Sequence, residues 1–409
     1  MGFAYPMNGT ISPFALIGNV AFRRVWVSGA LSNVNRWLEI LAVGVWVFDR
    51  TGSAFDVTLM FVLRFLPLML FGALAGSLAE RFDRRAVVMA GLGVLVANSA
   101  LLGVLAAFGA LEVWHVAAGA FLNGMIWSSE MPLRRTMLGD IAGDGQVAQA
   151  MGFDAATNNA TRMLGPLAGG ALLEGIGISG TFFAGAGLNL LSLLLMARVR
   201  VGTDVRTGAA SAGVLTALRD GFRYIRTNRP LVATLAVTVI FNVWGFPMTS
   251  MVPVIGKEAL GLSAFPVGVL QSAEGLGALI GALGIAWLGR AVWFRRIYVV
   301  GVASYMLSAI VFAASPWFLL SGTILVTAGI GGACFATMQA TLTYLGASPE
   351  MRNRAMGALT ICIGTGPIGF LHMGLLAEWL GAYTAVTVVA VEGLAMLLLA
   401  LIVWPEARR

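Results

Sequence analysis

Three carboxylates, Glu39, Asp154 and Glu274, and three guanidiniums, Arg36, Arg64 and Arg162, fall inside stretches otherwise apolar enough to sit in lipid. A charge at the bilayer centre costs at least about 2.5–3.5 kcal/mol on insertion scales, so such residues face a cavity or a partner. Desolvation raises a carboxylate's affinity for a proton, which lets it load and unload near neutral pH. That is the chemistry of proton coupling, and Glu39, Asp154 and Glu274 are its candidates, with Arg36, Arg64 and Arg162 as charge partners. For each carboxylate the competing reading is a permanently paired or protonated packing residue. Arg36 and Glu39 lie three residues apart and share a helix face, open to a local ion pair or to a role in binding. Asp154, Asn158 and Arg162 recur every four residues as one polar stripe. About 12 Å of helix rise separates Asp154 from Arg162, so their partners come from other helices, and Arg64 is the natural one for Asp154 or Glu39. Glu130, Glu392 and His372 are further intramembrane candidates; for Glu392 the packing reading is favoured, and His372 is a relay candidate.

The elements that must hold these residues are membrane-spanning. Apolar residues make up 58% of the 409 and charged residues 11%, against about 45–50% and about a quarter in soluble domains. At roughly 20 apolar residues per crossing, twelve spans are expected: 25–48, 57–78, 86–108, 113–129, 148–173, 181–196, 231–255, 267–288, 297–314, 318–339, 355–377 and 383–403. The runs are too long for barrel strands and lack their alternation. The formal charge of +7 is distributed by topology. With both termini cytoplasmic, only Arg50 and Lys257 fall outside and Arg36, Arg64 and Arg162 within spans; every other basic residue lies inside. This pattern points to an inner-membrane protein and argues against nucleic acid as a partner. Lys257 is the one lysine and no phosphate-binding loop occurs, which argues against ATP chemistry. Cys334 and Cys362 lie in apolar runs and specify neither disulfide nor metal site. No metal, cofactor or enzymatic activity is expected.

The chain divides as 1–197, a linker at 198–230 rich in arginine, with a surface helix expected at 214–225, and 231–409. The two halves echo each other. Asn33-Val34 matches Asn242-Val243, and Gly72-Ala73-Leu74 with Arg81 matches Gly281-Ala282-Leu283 with Arg290, both 209 residues on. Ala150-Met151-Gly152 matches Ala355-Met356-Gly357, and Gly165-Pro166 matches Gly366-Pro367. Their order and spacing argue for a six-plus-six duplication.

Two motifs carry a family resemblance. After the second span, Gly76-Ser77-Leu78-Ala79-Glu80-Arg81-Phe82-Asp83-Arg84-Arg85 resembles the signature loop of the major facilitator superfamily, with Glu80 for the usual Asp and Asp83 for the usual Gly. In the fifth span, Gly165-Pro166-Leu167-Ala168-Gly169-Gly170 is similar to that family's antiporter motif, with Thr161 replacing its leading glycine. Proline kinks a helix and glycine lets helices approach closely, so this segment suits a bent seam between bundles. The chain resembles the enterobactin-exporter-like and macrolide-exporter-like branch. That branch often has an acid before the tryptophan of the first helix, where this chain has Arg36 before Trp37.

The resemblance implies an all-α membrane protein of twelve transmembrane helices in two six-helix bundles. It also implies a cavity lined by the first, fourth, seventh and tenth helices, with Asn33, Asn35, Trp37, Asn123, Trp127, Asn242, Trp244, Thr337 and Gln339 as candidates. The expected function is export of a small amphipathic molecule, siderophore-like or drug-like, by proton antiport and alternating access, in a monomer whose other partner is the lipid bilayer. Uptake or lipid translocation by the same fold, or a non-transporting membrane sensor, are the alternatives.

Overall fold

The computed structural model describes residues 14–79, 83–143, 145–199 and 223–407. These described residues are helical, and their helices make up twelve spans. The first half carries Val20–Thr51, Ala54–Ala79, Arg84–Ala107, Val113–Ala142, and a fifth and sixth joined as Val147–Ala197. The second half carries a seventh made of Arg229–Ile240, a π-helical turn at Phe241–Gly245 and Met248–Glu258, then Ala264–Leu288, Phe294–Ala313, Phe318–Gly346, an eleventh broken into Arg352–Ile363 and Gly366–Leu380, and Ala382–Val403. The fifth and sixth spans separate at Gly177, where φ is +70°, a backbone conformation that a Cβ disfavours. The first and fourth spans are the ones that carry most of the buried polar residues described below, which is why they read as less apolar than the rest.

Side-chain capping sets several helix starts. Asn19 accepts from the amides of Ala21 and Phe22, Asp83 from that of Arg85, and Asn228 from that of Leu231, satisfying donors a helix start leaves free. Of the signature loop, Gly76, Glu80 and Arg81 lie outside what the structure describes at side-chain level, and so does most of the surface helix expected at 214–225. Arg84 pairs with Asp140 at the end of the fourth span, at 2.5 Å. Arg85 donates to the carbonyls of Met196 and Ala197 at the end of the sixth. Arg84 and Arg85 therefore tie the start of the third span to the ends of the fourth and sixth.

The duplication seen in sequence has a packing counterpart. A Cβ at Gly165 would meet Trp37 and the Val34 carbonyl, and one at Gly369 would meet the Val243 carbonyl and Pro247. Each Gly-Pro segment thus lies directly on the equivalent valine of the first or seventh span. Between halves, the fifth span packs on the eighth, with Gly170 against the Ala264 carbonyl and Gly268 against that of Pro166. The second packs on the eleventh, where Phe61 and Phe65 contact Phe370 with ring centroids 5.1 and 5.7 Å apart. At the rim far from the termini, Lys257 pairs with Asp49 at 2.8 Å and the Phe265 amide donates to Glu174 at 2.8 Å. Among the described residues, these contacts run from mid-depth to the far rim, so the halves meet there.

Candidate functional site

Glu39 sits in the first half, 3% exposed. Its carboxylate accepts from Asn35 Nδ2 at 3.0 Å, Ser99 Oγ at 2.8 Å and Asn123 Nδ2 at 2.8 Å, and Asn98 in turn donates to Asn123 at 3.2 Å. Three spans thus converge on one acid through neutral donors. Arg64, from the second span, lines the same two small recesses as Glu39 and Asn123. Its bond is a long one, 3.5 Å, to the Arg36 carbonyl. A Cβ at Gly124 would strike the Arg64 backbone, so glycine lets the second and fourth spans approach closely enough to bring Arg64 beside Asn123.

The local Arg36–Glu39 pair does not form. Glu39 points among the spans of its own half, while Arg36 donates to Asn158 Oδ1 at 3.2 Å and lies over the rings of Trp37 and Trp127, 5.2 and 4.7 Å from their centroids. Asp154 is not met by Arg64 either. It is held between Arg134 at 2.6 Å and Arg135 at 2.8 Å, and Arg134 also binds Glu130 at 2.9 Å. Arg134 needs the room left by Gly29 of the first span, where any Cβ would overlap its guanidinium.

The third member of the polar stripe crosses the molecule. Arg162 pairs with Glu274 of the eighth span at 2.5 Å, and Tyr305 of the ninth donates to the same carboxylate at 3.1 Å. Glu274 is fully buried. Arg162 also lies 5.4 Å from the Trp37 ring. The asparagine, the aspartate and the arginine of the stripe thus each find a partner on another helix.

Arg162 forms part of the wall of a cavity between the halves, about 170 Å³ in volume, with Phe65, Trp127, Asn242, Phe246 and Phe335. All of these fall near the middle of their helices, so the cavity lies at mid-depth. Trp127 faces both this cavity and the polar one that holds Asn33, Asn35 and Arg36. Thr337 and Gln339 are not on the wall of the central cavity, and Trp244 turns away from it, donating to Glu392 at 3.1 Å. His372 meets the same carboxylate at 2.8 Å, so Glu392, His372 and Trp244 form one cluster in the second half. The residues missed in the sequence are Ser99, Asn98 and Tyr305, single polar groups in apolar runs. The phenylalanine lining was also missed, since it resembles ordinary packing until the helices are placed.

The sequence profile of the Major Facilitator Superfamily matches residues 25–368. The chain belongs to this family. As a Major Facilitator Superfamily protein it is a multi-pass membrane transporter rather than an enzyme. Among its relatives, macrolide efflux protein A of Streptococcus pyogenes is 21% identical over 370 residues, 88% of this chain and 90% of that one. The multidrug efflux pump Tap of Mycolicibacterium fortuitum is 26% identical over 360 residues, 85% of this chain and 86% of that protein. The staphyloferrin A transporter of Staphylococcus aureus is 22% identical over 258 residues, 63% of this chain and 64% of that protein. The chain shares its fold with the nucleoside transporter NupG, with a TM-score of 0.74 at 13% identity over 93% of this chain and 98% of that one. It also shares it with a bacterial homologue of the human lysosomal transporter Spinster in an inward-facing, unoccupied conformation, with a TM-score of 0.72 at 14% identity over 98% and 97%.

Proposed function

We propose that this transporter exports a small amphipathic molecule, siderophore-like or drug-like, across the bacterial inner membrane in exchange for protons. In this reading residues 1–197 and 231–409 act as two bodies joined by the 198–230 linker, as a monomer with both termini cytoplasmic. They rock about the mid-depth cavity. The observation that carries the reading is the position of that cavity, with buried ionisable groups at its wall and beside it. The efflux functions of the macrolide and Tap relatives and the Gly165-Pro166 seam support the outward direction.

Glu39 and Glu274 are the favoured coupling groups. Glu39 is held by neutral donors, so a proton there breaks no ion pair. Glu274 is bound to the opposite half through Arg162, so the pair must part when the far side opens and its carboxylate is then free to take a proton. Asp154 is clamped by two arginines and serves better to fix the fourth span to the fifth. In everted vesicles an imposed proton gradient should drive accumulation of an efflux substrate, and Glu39→Gln should abolish it while the protein remains in the membrane. Undiminished accumulation with the gradient collapsed would remove the coupling arm.

A further inference from the structure

Three buried donors around the Arg36 guanidinium find no acceptor among the described residues: Arg36 Nε, Trp37 Nε1 and Trp127 Nε1. They are contiguous, because Arg36 lies over both indoles. A buried donor left unpaired costs about 1–3 kcal/mol, more when charged, and a packing role would not require three of them together. The surrounding charges have the same sense. Glu130 and Asp154 are committed to Arg134 and Arg135, and Glu274 to Arg162. That leaves Arg36 and Arg64 with Glu39 as the one uncommitted acid nearby, itself turned toward Asn35, Ser99 and Asn123, so one positive charge is in surplus where weak screening makes it count.

We infer that the cargo is an amphipathic organic anion whose carboxylate is received by Arg36 and the indole N–H groups of Trp37 and Trp127. Guanidinium offers carboxylate a planar, directional match. Trp127 is shared by the polar recess and the central cavity, so a head group at Arg36 leaves an apolar body among Phe65, Phe246 and Phe335. The inference rests on the transport reading of that cavity, though not on its proton arm. A proton on Glu39 would add to the positive surplus, so exchange of anion for proton has to be enforced by the conformational cycle rather than by competition at the site.

The test uses the purified full-length protein and three probes sharing one body: 1-pyrenebutyrate, its methyl ester and 1-pyrenebutylamine. The carboxylate should bind at least about tenfold more tightly than the ester or the amine, the yield of one hydrogen bond to a charged group. Arg36→Gln should erase that preference and leave ester binding unchanged. Trp127→Phe, which deletes a donor and keeps a ring, should lower carboxylate affinity several-fold and guards against misfolding of the first variant. Equal binding of all three probes, preference for the amine, or a carboxylate preference intact in both variants would overturn the inference. Flux in proteoliposomes separates it from the transport reading. Carboxylate-selective binding without flux in either direction sinks the transport reading alone, whereas ester flux without carboxylate preference sinks the anion alone.

Discussion

At the scale of single residues, Glu39 and Asp154 are both buried acids and yet differ in what holds them. Glu39 accepts from three neutral groups, whereas Asp154 neutralises Arg134 and Arg135. Breaking a buried ion pair by removing one partner costs about 3–5 kcal/mol, because the other charge is left uncompensated. Asp154→Ala should therefore lower the thermal unfolding temperature in detergent markedly, and Arg134→Ala should do the same. Glu39→Gln keeps the shape and one of the two acceptor oxygens and breaks no ion pair, so its unfolding temperature should fall much less than that of Asp154→Ala while proton-driven accumulation is lost. A large drop for Glu39→Gln, or none for Asp154→Ala, would reverse the two assignments. The charged residues themselves were plain in the sequence, because ionic groups in apolar runs stand out at once. Their partners were not: Arg134 lies 20 residues from Asp154 on a different helix, and nothing in the spacing distinguishes it from Arg64 as the counter-ion.

At the scale of helices, glycine decides how closely the spans meet. A Cβ on Gly170 would press on the Ala264 carbonyl and one on Gly268 on that of Pro166, both across the seam between halves, while Gly187 has nothing within 4 Å. Gly170→Ala and Gly268→Ala should therefore wedge the fifth and eighth spans apart and populate a form open at the far rim. Spin labels at the exposed Trp114 and Trp317 positions of that rim should report a longer distance. Gly187→Ala, on an exposed helix face, should leave the distance unchanged and stabilise the helix by up to about 1 kcal/mol. If all three behave alike, the seam is not set by these contacts. The sequence made the spans legible because the bilayer imposes both length and hydropathy, and of the repeated Gly-Pro pairs Gly366-Pro367 marked the break after Ile363, whereas the helix runs on through Gly165-Pro166. It left the π-helical turn at Phe241–Gly245 unread, because apolar residues fill a π-turn as readily as a regular helix.

At the scale of the whole molecule, the two halves are held closed by contacts of unequal weight. Lys257–Asp49 lies at the rim with Asp49 about half exposed, and a solvent-exposed pair contributes about 0–1 kcal/mol. Arg162–Glu274 is the deepest ion pair between the halves among the described residues, and its acid is sealed from solvent. Lys257→Gln should thus raise the far-open population less than about fivefold. Glu274→Gln and Arg162→Gln should each shift it further, because parting the fifth and eighth spans in the parent strands two charges that the closed form pairs. The double variant should move the equilibrium no further than the larger of the singles, since both remove one interaction. The same Trp114 and Trp317 label distance measures all four proteins. Additive shifts would mean that Arg162 and Glu274 act through separate partners, Trp37 for one and Tyr305 for the other, and the pair would then not be the latch whose opening frees Glu274 for a proton.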